Sequence, residues 1–173
     1  VKTIGGTPYI FMTFVEIGRR GSWGSFKSCN LETMECVQTN DPDRDGILRN
    51  HTRISVNNEG TMVYMNDHRT GDLIGYTLTA SGPAFVIGAA GTQMVSASEA
   101  RRCTAVNSPT LTSQVMYATG VEVSPDNSNI VYTSSHVNHA VQKLELTDTT
   151  CTVVTSVGRG VGSVAANIGT ANA

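Results

Sequence analysis

The chain has 173 residues, of which 39% are hydrophobic and only 15% are charged, and its formal net charge is −2. This composition indicates a single folded domain with a sizeable core and excludes a disordered chain. The twelve Lys and Arg residues are scattered along the sequence, which argues against nucleic acid as a partner. No apolar run approaches the roughly 18 to 20 residues that a membrane span needs.

The first group of predicted strands lies at about residues 8–40. The segments YIFMTFVEI, GSFKSCNL and ECVQT supply three strands that are rich in apolar and β-branched residues. A fourth strand, the innermost, would come from residues 1–8 or from elsewhere, and VKTIGG does not obviously supply it. We therefore expect this first group to be incomplete.

Four cysteines predict disulfides. Cys29 and Cys36 flank a plausible hairpin tip, and cross-strand cysteines in such a position can meet the Cα separation of about 4.4 to 6.8 Å that a disulfide requires. Cys103 and Cys151 are left to pair with each other or with sequence that is absent. A zinc site is the weaker interpretation, because the chain has no CxxC pair and its histidines are not spaced like zinc ligands. Disulfides indicate an oxidising, extracellular compartment.

An acidic loop follows the first group of strands. Its alternating carboxylates precede Gly46, a pattern that presents several oxygens to Ca²⁺. An EF-hand would need a carboxylate at the twelfth position, where Thr52 stands, and a propeller-type calcium loop would need Asp at the ninth, where Arg49 stands. The alternative is a solvated loop in which Asp and Gly simply make turns. The candidate ligands are Asp41, Asp43 and Asp45.

Asn50 begins the sequence Asn-His-Thr, which is the only N-glycosylation sequon in the chain. Together with the cysteines, the sequon favours a secreted glycoprotein.

Residues 120–157 contain four short β-type segments and resemble two earlier parts of the chain. Apolar and polar residues alternate in residues 121–123 and 141–146, as in strands with one buried face. Residues 54–56 align with 121–123, residues 62–64 with 130–132, residues 73–78 with 141–146, and residues 85–87 with 153–157. Such a recurrence is typical of a repeat architecture.

We predict an all-β fold made of β-propeller blades, each with four antiparallel strands. The blades lie at about residues 8–40, 52–90 and 118–158 of one propeller segment, and residues 159–173 form a small-residue linker between blades. The chain begins at Val1 rather than Met, so we expect a processed chain or part of a longer one.

The third copy resembles the NHL-repeat family of propellers. In that family a strand ending in Tyr-Val-Ala-Asp leads to Asn-His, an aliphatic residue and a basic position, and here Tyr132 leads to Asn138, His139, Val141 and Lys143. The middle copy departs from this pattern with Asn-Asp-His at residues 66–68, and the first copy lacks it.

The resemblance implies a propeller with too few blades. Closed propellers typically hold four to eight blades, NHL-like ones often six, and about three are visible here. An open array would leave strand edges and apolar faces uncovered. We therefore expect the ring to be completed by the remainder of a larger polypeptide or by other protein subunits.

Other chemistry is weakly indicated. His136 and His139 form an HxxH pair, but Zn²⁺ needs three or four converging ligands, and the resemblance gives Asn138 and His139 a structural role in a loop. No nucleophile motif occurs. Trp23, the only tryptophan, could stack on a sugar or simply be packed.

The sequence thus favours a secreted, non-enzymatic module with a structural or protein-binding role, such as a segment of an extracellular filament or cell-surface assembly. No cofactor is expected apart from the Ca²⁺ considered above. One rival is part of a propeller enzyme, of the lactonase or lyase type, with a metal in the central channel. A second rival is a carbohydrate-binding propeller, whose partner would be a glycan.

Overall fold

The computed structural model describes residues 1–18, 21–40, 51–67, 69–88, 101–106, 114–147 and 150–158. All regular structure in these ranges is β-strand, and they contain no helix that could cross a membrane. This confirms the all-β class. The strands are β1 (Lys2–Ile4), β2 (Thr7–Gly18), β3 (Gly21–Asn30), β4 (Cys36–Asn40), β5 (His51–Val56), β6 (Met62–Asp67), β7 (Leu73–Ser81), β8 (Ala84–Ile87), β9 (Arg101–Cys103), β10 (Gly120–Val123), β11 (Ile130–Ser135), β12 (Ala140–Leu146) and β13 (Cys151–Gly158).

The strands form three antiparallel sheets in which neighbours in sequence are neighbours in space. Sheet 1 has the order β1-β2-β3-β4, sheet 2 the order β5-β6-β7-β8, and sheet 3 the order β10-β11-β12-β13. The short strand β9 adds to sheet 2 by pairing with the beginning of β7. Each sheet is the four-stranded meander that a propeller blade requires.

Sheet 2 is the middle layer and is covered on both sides. One of its faces packs against sheet 1 around Phe26, Val63 and Tyr76, and the other packs against sheet 3 around Tyr64 and Leu73. Strand β6 is accordingly buried at five successive residues, instead of alternating between buried and exposed ones. Uninterrupted burial of this kind is expected where both faces of a sheet are covered.

Aromatic rings and hydrogen bonds join sheets 1 and 2. The ring of Phe85 in β8 lies 5.0 Å from that of Tyr9 and 5.9 Å from that of Phe11, measured between centroids. The buried hydroxyl of Ser28 donates a 2.6 Å hydrogen bond to the carbonyl oxygen of Phe85 and accepts one of 2.7 Å from its N–H. Sheet 1 therefore supplies hydrogen-bond partners to the backbone of β8, the edge strand of sheet 2.

A disulfide and a connecting segment join sheets 2 and 3. Cys103 of β9 is bonded to Cys151 of β13, with a Cα separation of 5.7 Å. Residues 114–118 of the connecting segment bind both sheets, since Met116 N–H donates to Gln142 Oε1 at 2.9 Å and Ala118 N–H donates to Gly71 O at 2.9 Å. Gly71 has a φ of +78°, and the ring of Tyr117 fills the space where its Cβ would stand. Only glycine fits this turn without displacing that ring.

The first strands of the three sheets converge at one side of the array. Lys2 of β1, Ser55 of β5 and Glu122 of β10 line a common cavity of about 90 Å³. The innermost strand of sheet 1 is thus β1, in the VKTIGG segment, so the expectation that the first group is incomplete was wrong. Three residues are too few for period-two alternation to be recognised, and glycines at positive φ, Gly5 and Gly6, make the tight turn into β2.

Removing the Cys103–Cys151 bond, by Cys103→Ser with Cys151→Ser, is expected to lower the free energy of unfolding by about 4 kcal/mol, because it releases a loop with a sequence separation of 48. Urea unfolding measures this change. The matched control removes Cys29–Cys36, whose separation of 7 predicts a loss of about 2 kcal/mol. Equal losses from the two variants would contradict the expectation that the Cys103–Cys151 bond restrains the unfolded chain more than the Cys29–Cys36 bond does.

Candidate functional site

The side of sheet 3 that faces away from sheet 2 carries exposed apolar side chains. We call it the outer face of sheet 3. Tyr132 of β11 is 39% exposed and Val141 of β12 is 47% exposed, and Val154 and Val157 of β13 are similarly accessible. The intervening residues of β11 and β12 point to sheet 2 and are buried, so exposure alternates strictly along both strands. The register places Glu122, Lys143 and Ser134 on the same face, so apolar and polar side chains are interspersed there. We take this mixed face as the candidate interaction surface.

The exposed Tyr132 has a counterpart in sheet 2. Tyr64 stands opposite Gly75 in the pairing of β6 with β7, as Tyr132 stands opposite Lys143 in the pairing of β11 with β12. Tyr64 is only 2% exposed, because sheet 3 covers it. The same position in two successive sheets therefore holds a tyrosine that is buried in one and accessible in the other.

Val141 shows the same relationship. It lies opposite Ser134, as Leu73 of sheet 2 lies opposite Asn66. Leu73 is 1% exposed and belongs to the core between sheets 2 and 3. The outer face of sheet 3 thus keeps an apolar side chain at two positions that sheet 2 uses against its neighbour, whereas Lys143 stands where sheet 2 has Gly75.

Sheet 1 ends the array on the opposite side. Phe11 of β2 packs into the core shared with sheet 2, so alternation places Ile10, Met12 and Phe14 on the other side of the strand. These three side chains are half-buried. We call this side the outer face of sheet 1. It corresponds to the face of sheet 2 that carries Val63 and Met65 and packs against sheet 1.

A polar cleft of about 440 Å³ lies between the turns of sheets 2 and 3. Asn58 links the same two turns, with its Nδ2 donating a 2.7 Å hydrogen bond to Pro125 O and its N–H donating one of 3.1 Å to Ser128 Oγ. Ser128 Oγ in turn donates to Glu59 Oε2. The cleft is lined by Asn57, Glu59, Thr61, Met62, Tyr64, Arg101, Asp126, Asn127, Ser128 and Asn129.

Two groups in the cleft have altered proton affinities. The hydrogen bond from Ser128 lowers the pKa of the Glu59 carboxyl below its ordinary value of 4.5. Burial raises the pKa of the Tyr64 phenol above its ordinary value of 10.0, although Arg101, whose Nη1 donates a 2.9 Å hydrogen bond to that phenol oxygen, opposes the shift. Polar groups in and beside the cleft are therefore hydrogen-bonded to one another across the junction of sheets 2 and 3.

The predicted metal and modification sites are placed only in part. Asp41, Asp43, Asp45 and Asn50 lie outside the described residues, so the calcium and glycosylation predictions remain predictions. The HxxH side chains are in the turn between β11 and β12, and both are exposed. Within the ranges that the structure covers, no three His, Cys, Asp or Glu side chains are gathered as metal ligands.

Asn138 stabilises that turn from inside. It is fully buried, its Oδ1 accepts a 2.9 Å hydrogen bond from Ser135 Oγ, and its N–H donates one of 3.1 Å to the same hydroxyl. His139 follows with a φ of +49°, in the left-handed region where Asn, Asp and His are enriched among the residues other than Gly. Asn138 and His139 thus have a local structural role in this turn.

Both disulfides that the sequence suggested are present. Cys29 and Cys36 are directly opposed in β3 and β4, with a Cα separation of 4.0 Å. Cys103 and Cys151 pair with each other, which decides between the two alternatives left open by the sequence. Trp23 is in β3, and its side chain lies outside what the structure describes.

Comparison with known proteins leaves the family open. The chain matches no protein-family model and no curated protein sequence. Among solved structures it is similar to a crystal structure of a protein from Lactobacillus plantarum, at 15% identity and a TM-score of 0.45. The match covers 88% of this chain and 37% of that protein, so this chain spans less than half its length. The fold assignment rests on the sheets themselves, and the NHL resemblance stays a prediction.

Replacing Ser128 by Ala is expected to raise the pKa of Glu59 towards 4.5, because it removes the hydrogen bond that favours the carboxylate. A depressed folded-state pKa contributes stability that is present above the unfolded value and is lost as the pH falls below about 4.5. The variant should therefore lose less stability on acidification. Carboxyl NMR titration measures the pKa. Asn129→Ala in the same cleft is the control, and an unchanged Glu59 pKa in Ser128→Ala would refute the assignment.

Replacing Asn138 by Ala is expected to cost about 1 to 3 kcal/mol of unfolding free energy, because it leaves the buried hydroxyl of Ser135 without this acceptor. Chemical denaturation measures the loss. His136→Ala changes the exposed member of the HxxH pair and should stay within about 0.5 kcal/mol of the original protein. An unchanged unfolding free energy in Asn138→Ala would contradict the structural role of Asn138 in the turn.

Proposed function

We propose that this chain is a secreted, NHL-like propeller segment that acts as a structural or protein-binding module of an extracellular assembly. The observation that carries the proposal is the outer face of sheet 3. Tyr132 and Val141 stand there in solvent at positions that are buried one sheet earlier, as Tyr64 and Leu73. A protein sheet placed against them would bury apolar area at roughly 25 cal/mol per Å².

The proposed location is supported by the disulfides. Both pairs form within the chain, and disulfides persist mainly in oxidising compartments. The sequon at Asn50 and the calcium loop at residues 41–46 belong to the same proposal. Glycosylation and Ca²⁺ both suit an extracellular protein, since extracellular calcium modules bind weakly, at roughly 10⁻⁴ to 10⁻³ M.

The rival functions lack a comparable observation. An enzyme of the lactonase or lyase type would place its site on the propeller axis, where the first strands of the sheets converge. In the described part of the array, Lys2 and Glu122 line a cavity there of only about 90 Å³. A carbohydrate-binding surface would need accessible aromatic rings, and Tyr132 is the exposed large aromatic that the structure records. Its position matches that of Tyr64, which takes part in a sheet-to-sheet contact, and this favours a protein partner over a sugar.

A photo-cross-linking amino acid at position 132 tests the proposal in the protein as cells secrete it. We expect a covalent protein adduct, with the cross-linked peptide identified by mass spectrometry, because the matching position in sheet 2, Tyr64, lies under a neighbouring sheet. The control carries the same amino acid at position 137, where Val137 is 49% exposed in the turn between β11 and β12. The absence of any protein adduct at position 132 would overturn the proposed role.

A further inference from the structure

A lysine of sheet 1 and an asparagine of sheet 2 meet where the two sheets adjoin. Lys2 lies in β1, and Asn58 lies in the turn between β5 and β6. Lys2 Nζ donates a hydrogen bond of 2.5 Å to Asn58 Oδ1, and both residues are half-buried. A primary amine, which is a nucleophile in its neutral form, is thereby held against the carbonyl group of a carboxamide.

The contact places the amine close to the carbon atom that it would attack. Because the C=O bond of an amide is about 1.23 Å long, the 2.5 Å contact to Oδ1 puts Nζ within about 3.7 Å of Asn58 Cγ. Reacting atoms about 3 to 3.5 Å apart define a near-attack arrangement. A small rotation of the lysine side chain therefore moves the nitrogen from the oxygen to the carbon.

The carboxamide is also fixed in orientation. Asn58 Nδ2 donates hydrogen bonds to the carbonyl oxygens of Ser124, at 3.2 Å, and Pro125, at 2.7 Å. The Asn58 N–H donates to Ser128 Oγ at 3.1 Å. The turn between β10 and β11 thus holds the amide nitrogen, and the amide oxygen faces Lys2. A group held in this way loses little rotational freedom when it reacts.

A carboxylate stands beside the pair. Glu59 follows Asn58 in the same turn, and its Oε2 accepts a 2.9 Å hydrogen bond from Asn57 Nδ2. The hydrogen bond from Ser128 is the main cause of the lowered pKa of Glu59, and the charge of Lys2 lowers that pKa further, as expected for neighbouring groups of opposite charge. Transfer of a proton from the ammonium to the carboxylate would supply the neutral amine.

We propose that Lys2 and Asn58 form an isopeptide bond within the chain. The neutral Nζ attacks Asn58 Cγ, a new C–N bond forms, and the bond from Cγ to Nδ2 breaks. Glu59 takes one proton from the Lys2 ammonium and gives it to Nδ2, which leaves as ammonia. The second proton of Nζ passes to that ammonia, so the products are a secondary amide and one ammonium ion. No oxidant or reductant takes part.

This bond joins two sheets that the cysteines leave unlinked. The Cys29–Cys36 disulfide lies within sheet 1, and the Cys103–Cys151 disulfide joins sheets 2 and 3. All four cysteines are used in these two pairs, and neither pair links sheet 1 to sheet 2. With the isopeptide bond in place, side-chain bonds connect all three sheets. The proposal goes beyond the function given above and does not depend on the partner proposed there.

Mass spectrometry of the intact, oxidised and unglycosylated chain tests the bond. We expect a mass lower by one ammonia than the mass calculated for the sequence with two disulfides. Proteolysis should give a branched peptide that joins Lys2 to Asn58. Lys2→Arg keeps the positive charge but removes the nucleophilic amine, so this variant should have the full calculated mass. Lys143→Arg makes the same change at another half-buried lysine and should still lose ammonia.

The glutamate variants test the proton transfer. Glu59→Gln should slow the loss of ammonia after folding by roughly a hundredfold, because it removes the group that carries the proton. Glu122→Gln changes the carboxylate that lines the same cavity as Lys2, and it should leave the rate unchanged. Circular dichroism checks that each variant folds. Equal rates in the two variants would overturn the role of Glu59.

The masses also separate the bond from a cyclic imide, the other product in which an asparagine side chain loses ammonia. An imide would persist in Lys2→Arg and would give no branched peptide. An ammonia loss that survives Lys2→Arg therefore overturns the isopeptide bond. An original chain that has the full calculated mass when folded overturns it as well.

Discussion

The structure depends on the covering of both faces of a sheet. A four-stranded meander with apolar residues on each side is stable only when a layer packs on either side of it, since a lone sheet leaves that area in water. Sheet 2 meets this requirement inside the chain, with Val63 against sheet 1 and Tyr64 against sheet 3. Among the residues that the structure describes, sheets 1 and 3 each pack against sheet 2 on one side.

The two internal junctions solve the same packing problem with different groups. Sheets 1 and 2 are joined by rings around Phe85 and by the hydroxyl of Ser28, which satisfies a backbone edge. Sheets 2 and 3 combine aliphatic packing with a polar network through Asn58 and with the Cys103–Cys151 bond. A covalent link across a junction limits the opening of the array at that point, because the two sheets cannot separate in the folded chain.

Much of this fold could be predicted, because the information is local. Alternation identified β10 and β12, and a short hairpin brought Cys29 opposite Cys36. The pairing of Cys103 with Cys151 could not be derived, since it depends on β9, a three-residue strand inside a long connection. Nor could the alternation of apolar and polar residues reveal that Val141 is exposed in the described structure. Alternation shows that two faces differ, whereas the presence of a neighbour is a tertiary property.

The candidate surface was nevertheless available in the sequence through the repeat alignment. Aligning residues 73–78 with 141–146 places Leu73 over Val141, and aligning residues 62–64 with 130–132 places Tyr64 over Tyr132. The same face also carries Glu122 and Lys143 beside Tyr132, so solvent contact is reflected in the residues around these two positions. The counterparts of Tyr132 and Val141 in sheet 2 are buried, so at these two positions the repeat keeps an apolar side chain both where a neighbouring sheet covers it and where the described residues leave it exposed.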